Sequence, residues 1–171
     1  MSQEISKNYF EGNAWELPGD FDLISKANNE LESRLINLGW NNSNSIDYED
    51  PVPAMVDGFS DALDNAMVHG SYGLKEREEG ESWRSAIKRL GLTTNKKIKV
   101  ILDLSASEVK IVVQDEGEGF DPDIDIVPDP TAPENILKGS GRGLLFLRSA
   151  YDEIKFDKNN KSVTLIKRKK P

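Results

Sequence analysis

The chain contains no cysteine, which excludes disulfides, thiolate nucleophiles and Cys-based zinc sites together. It has one histidine, His69; a lone imidazole is expected to be hydrogen-bonded near a site rather than to ligate a metal. No apolar run approaches membrane-spanning length, so no membrane partner is expected. Residues 1–10 mix charge and polarity without an apolar centre, so no secretory signal is expected and the cytoplasm is the expected compartment. Cations are too few for a nucleic-acid surface: 22 Lys and Arg stand against 30 Asp and Glu, a net charge of −8, whereas phosphate contacts need clustered Lys and Arg. The one basic run, Lys167-Arg168-Lys169-Lys170, reads as a solvated tail. The chain also lacks the GxxxxGK[ST] phosphate loop, and no parallel βαβ unit surrounds its glycines as a dinucleotide fold requires.

What remains is a chain of 171 residues, read as one domain over 1–171 with enough length for a real core. Trp15-Glu16-Leu17-Pro18 reads as an opening strand. A helix over 21–38 puts Leu23, Ala27, Leu31, Leu35 and Leu38 on one face, with Gly39 ending it. The next helix is well punctuated: Asp50 suits the N-cap, Pro51 the first position, and Gly70 the left-handed residue after the end. A charged stretch over about 71–95 carries a short helix at 82–90, with Trp83, Ile87 and Leu90 at helical spacing. It is either a partner surface or a tolerated surface insertion. Ile98, Val100, Leu102 and Leu104 alternate, as do Val109, Ile111 and Val113, across a turn at 105–108. Four prolines in 121–133 forbid regular structure there. A helix over 144–151 and a hairpin around Asn159-Asn160 complete the chain. Trp15, Trp40 and Trp83 are expected to pack rather than bind. Strands joined by tight turns make the fold class α+β, a two-layer α/β sandwich whose mainly antiparallel, mixed sheet has helices on one face.

Three segments carry chemistry. In Asp61-Ala62-Leu63-Asp64-Asn65-Ala66-Met67-Val68-His69-Gly70, the helix has an apolar stripe at Val52, Met55, Val56, Phe59, Ala62, Leu63 and Ala66. Its other side offers Asp57, Asp61, Asp64 and Asn65. Asp61 and Asn65 are four apart and stack. An amide oxygen suits Mg²⁺ and a carboxylate can take a proton, although a polar helix face is usually only solvated. In Gln114-Asp115-Glu116-Gly117-Glu118-Gly119-Phe120, an acid ends a buried strand. It can accept from the exocyclic amine of adenine, while Gly117 and Gly119 let the backbone approach a flat base; an acidic hairpin turn is the plainer alternative. In Lys138-Gly139-Ser140-Gly141-Arg142-Gly143-Leu144, glycine-freed amides at a helix start form an anion site that Arg142 reinforces. A linker before a helix is the alternative there.

In this order the three segments resemble the N box and two glycine boxes of the GHKL superfamily, whose ATP-binding domain is the Bergerat fold. The similarity runs from about Leu17 to Lys167 and is strongest to the small anti-sigma-factor serine kinases of partner-switching systems. The resemblance implies ATP and Mg²⁺ as cofactors. Asn65 maps onto the Mg²⁺ ligand, Asp115 onto the adenine reader with Gly117 and Gly119 lining its pocket, and Gly139, Gly141, Arg142 and Gly143 onto the triphosphate cap. The 121–140 stretch maps onto the ATP lid, and Ser162 or Thr164 onto a hydroxyl near adenine. The kinases place a Glu four residues before the Asn as general base; here it is Asp61, one methylene shorter. Implied partners are a sigma factor, an antagonist protein carrying the target Ser, or both, and relatives are commonly homodimers. The alternative is an ATP-gated binding module without phosphoryl transfer. A sensor histidine kinase is not expected, because His69 lies inside the N box and no dimerisation helices are present. A gyrase-like ATPase would need a transducer domain that this chain has no room for.

Overall fold

The computed structural model describes residues 8–41, 50–118 and 147–169. Among them the order is β1 (Ala14–Pro18), α1 (Asp22–Asn37), α2 (Pro51–Asn65), a π-helical turn (Ala66–Ser71), α3 (Trp83–Arg89), β2 (Lys97–Leu104), β3 (Glu108–Gln114), β4 (Glu153–Asp157) and β5 (Ser162–Arg168). Residues 147–150 are also helical. The strands form one sheet in the order β1-β2-β3-β5-β4, and every pairing is antiparallel.

Period-two alternation decides which face of this sheet is covered. Trp15, Leu17, Ile98, Val100, Leu102, Val109, Ile111, Val113 and Leu165 are buried, and they join one cluster with Ala27, Leu31 and Leu35 of α1 and Met55, Phe59 and Leu63 of α2. Glu16, Lys97, Lys99, Asp103 and Lys110 alternate with them and are exposed. The result is the expected α+β arrangement, a five-stranded antiparallel open sheet with α1 and α2 on one face, consistent with the GHKL ATPase fold.

The start of α2 follows its sequence signals. Asp50 accepts a hydrogen bond from the Val52 amide at 2.9 Å, and Pro51 opens the helix. Further along, Gly58 lets Tyr151 approach: a Cβ there would sit 2.9 Å from the Tyr151 ring. The Tyr151 hydroxyl donates to Met55 O at 2.7 Å, and burial pushes that hydroxyl far up from its usual value.

The end of α2 departs from expectation. The helix does not stop at a left-handed Gly70; it widens into the π-helical turn over Ala66–Ser71, and the left-handed glycine is Gly73, φ 66°. The Tyr72 amide reaches back to Met67 O at 3.0 Å, the wider spacing that defines such a turn. The segment after it packs. Val68, Leu74, Ala86 and Ile87 form a second small core with Phe21, Tyr72, Trp83 and Leu92 against it. The short helix expected over 82–90 is α3, and Ser82 caps it, accepting from the Ser85 amide at 3.1 Å. Leu90, by contrast, is exposed rather than on the packed face.

Candidate functional site

The π-helical turn carries the end of α2 onto the end of β3. Gly70 lies so close to Asp115 that a Cβ on it would come within 2.5 Å of Asp115 Oδ1. A Cβ on Gly117 would come 2.6 Å from Gly70 Cα and 2.7 Å from Asp115 Oδ1. Real Cβ atoms do not approach this closely, so both positions require glycine for space. Gly70 therefore serves a contact and not a backbone angle.

Asp115 is fixed from several sides. Its own amide donates to Lys161 O at 3.0 Å, and its Oδ1 accepts from the Gly117 amide at 2.6 Å. Among the described residues Oδ2 has no hydrogen-bond partner, which leaves an acceptor for a ligand amine. Burial pushes the carboxyl up from its ordinary value; the Gly117 amide, then Lys161, Lys96 and His69, pull against that rise. Neighbouring acids are engaged elsewhere. Glu116 accepts from the Lys97 amide at 2.8 Å, and Glu118 pairs with Lys75 at 3.0 Å.

On α2, Asp57, Asp61, Asp64 and Asn65 share the side turned from the core, and Asp57, Asp64 and Asn65 are exposed. Burial, and then the charge of Asp57, raise Asp61. Burial, and then the charge of Asp61, push Asp64 up to about 6, although its side chain reaches solvent. Among the described residues no group of three or more His, Asp or Glu side chains could hold a metal ion by itself. The donors present, one amide oxygen beside carboxylates, fit Mg²⁺ that takes its remaining ligands from phosphates and water.

His69 is hydrogen-bonded, as expected. Its Nδ1 lies 2.6 Å from Leu74 O, so that nitrogen must carry the hydrogen, and its ring meets Trp83 edge-on at 5.1 Å.

Of the residues singled out in the sequence, Asp115 and Gly117 are brought together with Gly70, and Asp61 and Asn65 stand on the helix that leads into Gly70. Gly119, Gly139, Gly141, Arg142 and Gly143 lie outside the described residues, as does the 121–140 stretch expected to form a lid. Ser162 and Thr164 are corrected by the register. They pair with Gln114 and Val112 and so face away from the helices, whereas Val163 takes the inner position. An open cavity of about 330 Å³, lined by Glu16, Asn95, Lys97, Lys99, Gln114, Asp115 and Glu116, draws on the solvent face of the sheet and includes neither Asn65 nor Gly70. Sequence reasoning also missed Lys96, whose Nζ lies 3.4 Å from Gly70 O, and Lys161, whose carbonyl accepts the Asp115 amide, because nothing local marks a residue as meeting a distant strand end.

No helix among the described residues is long and apolar enough to cross a membrane. No curated protein matches the chain. The family model of the histidine kinase-like ATPase domain matches residues 84–167, a span that holds Asp115 and Gly117 and both glycine segments but begins after Asn65. Together with the fold, that match supports a place for this chain in the GHKL superfamily, and with it ATP binding.

Proposed function

We propose that this chain is an ATP-dependent regulatory protein kinase of the anti-sigma-factor type, which phosphorylates a Ser on an antagonist protein in a partner-switching system. The observation that carries the reading is the packing of Gly70 against Asp115 and Gly117, which joins the helix of Asn65 to the acid that would read adenine. In this reading Asp115 Oδ2 accepts from the exocyclic amine of the base, and the tight Gly70–Gly117 backbone forms the floor beneath it. Asn65 would hold Mg²⁺, which would supply charge neutralisation on the phosphates. The 139–143 glycines and Arg142 cap the triphosphate. A sigma factor, the antagonist and a second copy of the chain are the proposed partners.

In the transfer step the Ser hydroxyl oxygen bonds to the γ-phosphorus, the bond to the β–γ bridging oxygen breaks, and ADP leaves. Asp61 takes the hydroxyl proton, one helical turn before Asn65 on the same face.

One feature favours a second reading, an ATP-gated binding module without transfer. Asp61 is one methylene shorter than the kinases' Glu, and misplacing a catalytic group by about 1 Å can cost on the order of a hundredfold. Labelled ATP and a candidate antagonist separate the two. Phosphoserine that disappears in Asp61→Ala supports the kinase. Tight ATP binding with no label transferred supports the module.

A further inference from the structure

Three consecutive residues of the π-helical turn are held by the segment that follows it. His69 Nδ1 donates to Leu74 O at 2.6 Å, and its ring meets Trp83 of α3 edge-on at 5.1 Å. Gly70 O faces the Lys96 ammonium at 3.4 Å. Ser71 O accepts from the Thr94 hydroxyl at 2.8 Å. The last carbonyls of a helix have no partner within it, so whatever takes them up sets how the turn ends. Thr94 is itself fixed. Its Oγ1 accepts from the Lys96 amide at 3.1 Å, and its methyl lies where a Cβ on Gly19 would stand. Gly19 in turn accepts from the Tyr72 hydroxyl on its carbonyl at 2.7 Å. The segment packs on the turn through a shared core of Val68, Leu74, Ala86 and Ile87.

We propose that the 71–96 segment is a brace for the nucleotide site, with Thr94 the positioning residue that fixes Gly70 against Asp115 and Gly117. This rests on the reading of Asp115 and Gly117 as the base pocket. Gly70 lies between His69 and Ser71, and the brace holds both. Its contact with the strand end leaves no room for a Cβ on either glycine, so it tolerates little displacement. A shift at Ser71 O passes to Gly70 Cα. From there it reaches the Gly117 amide, which donates to Asp115 Oδ1 at 2.6 Å. A π-helical turn is rarely adopted and concentrates at functional sites; here the groups that hold its end come from the brace. Groups that bind are kept in place by such supporting hydrogen bonds. Thr94 touches no nucleotide in this scheme and acts through the turn.

The test follows the Gly117 amide by NMR in nucleotide-free protein and ATP affinity by calorimetry, at a temperature where every variant is folded. Thr94→Val keeps the methyl beside Gly19 and removes the hydroxyl, whereas Thr94→Ser keeps the hydroxyl. His69→Phe keeps a ring against Trp83 and loses the bond to Leu74 O; it carries the test if Thr94→Val does not fold. Asp50→Ala, which weakens the fold at the far end of α2, controls for stability alone. Thr94→Val is expected to move the Gly117 resonance and to weaken ATP binding severalfold. Thr94→Ser should restore both, and Asp50→Ala should change neither. An unmoved Gly117 resonance in folded Thr94→Val overturns the inference, whatever the nucleotide does. A moved resonance with wild-type affinity overturns the link to the nucleotide site. An equal loss of affinity in Asp50→Ala reduces Thr94 to a stability role and overturns the positioning claim. Failure of wild type to bind ATP sinks the base-pocket reading, while the resonance still decides whether Thr94 sets the contact.

Discussion

Gly70 and Gly117 are each defined by what a single carbon would do. A Cβ at either has no room beside Asp115 and the facing glycine, so the strand end and the π-helical turn must separate to admit it. Overpacking of this kind typically costs about 1–3 kcal/mol. Gly70→Ala and Gly117→Ala are therefore expected to lower the urea midpoint by that order and to lose ATP affinity in calorimetry. Either variant binding ATP as wild type does would show that the close contact does not shape the base site. Asp64 gives a second residue-level test through pH. Its carboxyl is pushed up to about 6 from 3.8, so the folded state holds the proton more tightly than the unfolded state does. The cost of ionising it in the fold grows as pH rises from 3.8 to about 6 and stays in full above that. Asp64→Asn removes that cost. The variant should melt at a higher temperature than wild type near pH 7.5, by an amount on the order of 1 kcal/mol or less given solvent screening, and the two should converge below about pH 4. Equal melting at pH 7.5 would mean that the ionised carboxylate is not penalised.

Helix α2 shows what local signals reach and where they stop. Asp50 and Pro51 announce its start, and the cap hydrogen bond to the Val52 amide forms as the sequence predicts. Asp50→Ala should cost about 1 kcal/mol in urea denaturation with ATP affinity unchanged, since the cap lies at the far end of the helix from Asn65. A loss of affinity matching the loss of stability would instead tie the cap to the site. The strands, the 105–108 turn and the Asn159-Asn160 hairpin were legible for the same reason: periods of 3.6 and 2 and turn chemistry are written in neighbouring residues. The end of α2 was not. A glycine at the end of an apolar stripe normally marks a left-handed stop, but Gly70 answers to Asp115, far away in the chain, and no side-chain pattern distinguishes a π-helical turn from an α-helical one. The same limit hid Val163, whose inner position depends on register against β3 rather than on its own type. It also hid the small core under 71–95, which charge alone made look like a loose surface stretch.

At the scale of the molecule, two halves meet. The histidine kinase-like match covers residues 84–167, while Asn65 and its helix lie ahead of it, and Gly70 is where the two are packed together. If the halves form one ATP site, the contributions of Asn65 and Asp115 should be separable by the ion each needs. A ligand that binds only the folded state stabilises it by about 2.7 kcal/mol at a hundredfold excess over Kd, so melting temperature reads occupancy directly. Wild type should melt higher with ATP, and higher still with ATP and Mg²⁺. In Asn65→Ala the magnesium increment should vanish and the rise with ATP should be small, because the amide that holds the ion is gone while the base contact remains. In Asp115→Ala neither addition should raise the melting temperature, since the base contact comes first and the ion arrives with the phosphates. A full rise with ATP and Mg²⁺ in both variants would place the nucleotide elsewhere on the molecule. A magnesium increment lost in Asp115→Ala but kept in Asn65→Ala would reassign the ion to another ligand and leave the base contact standing.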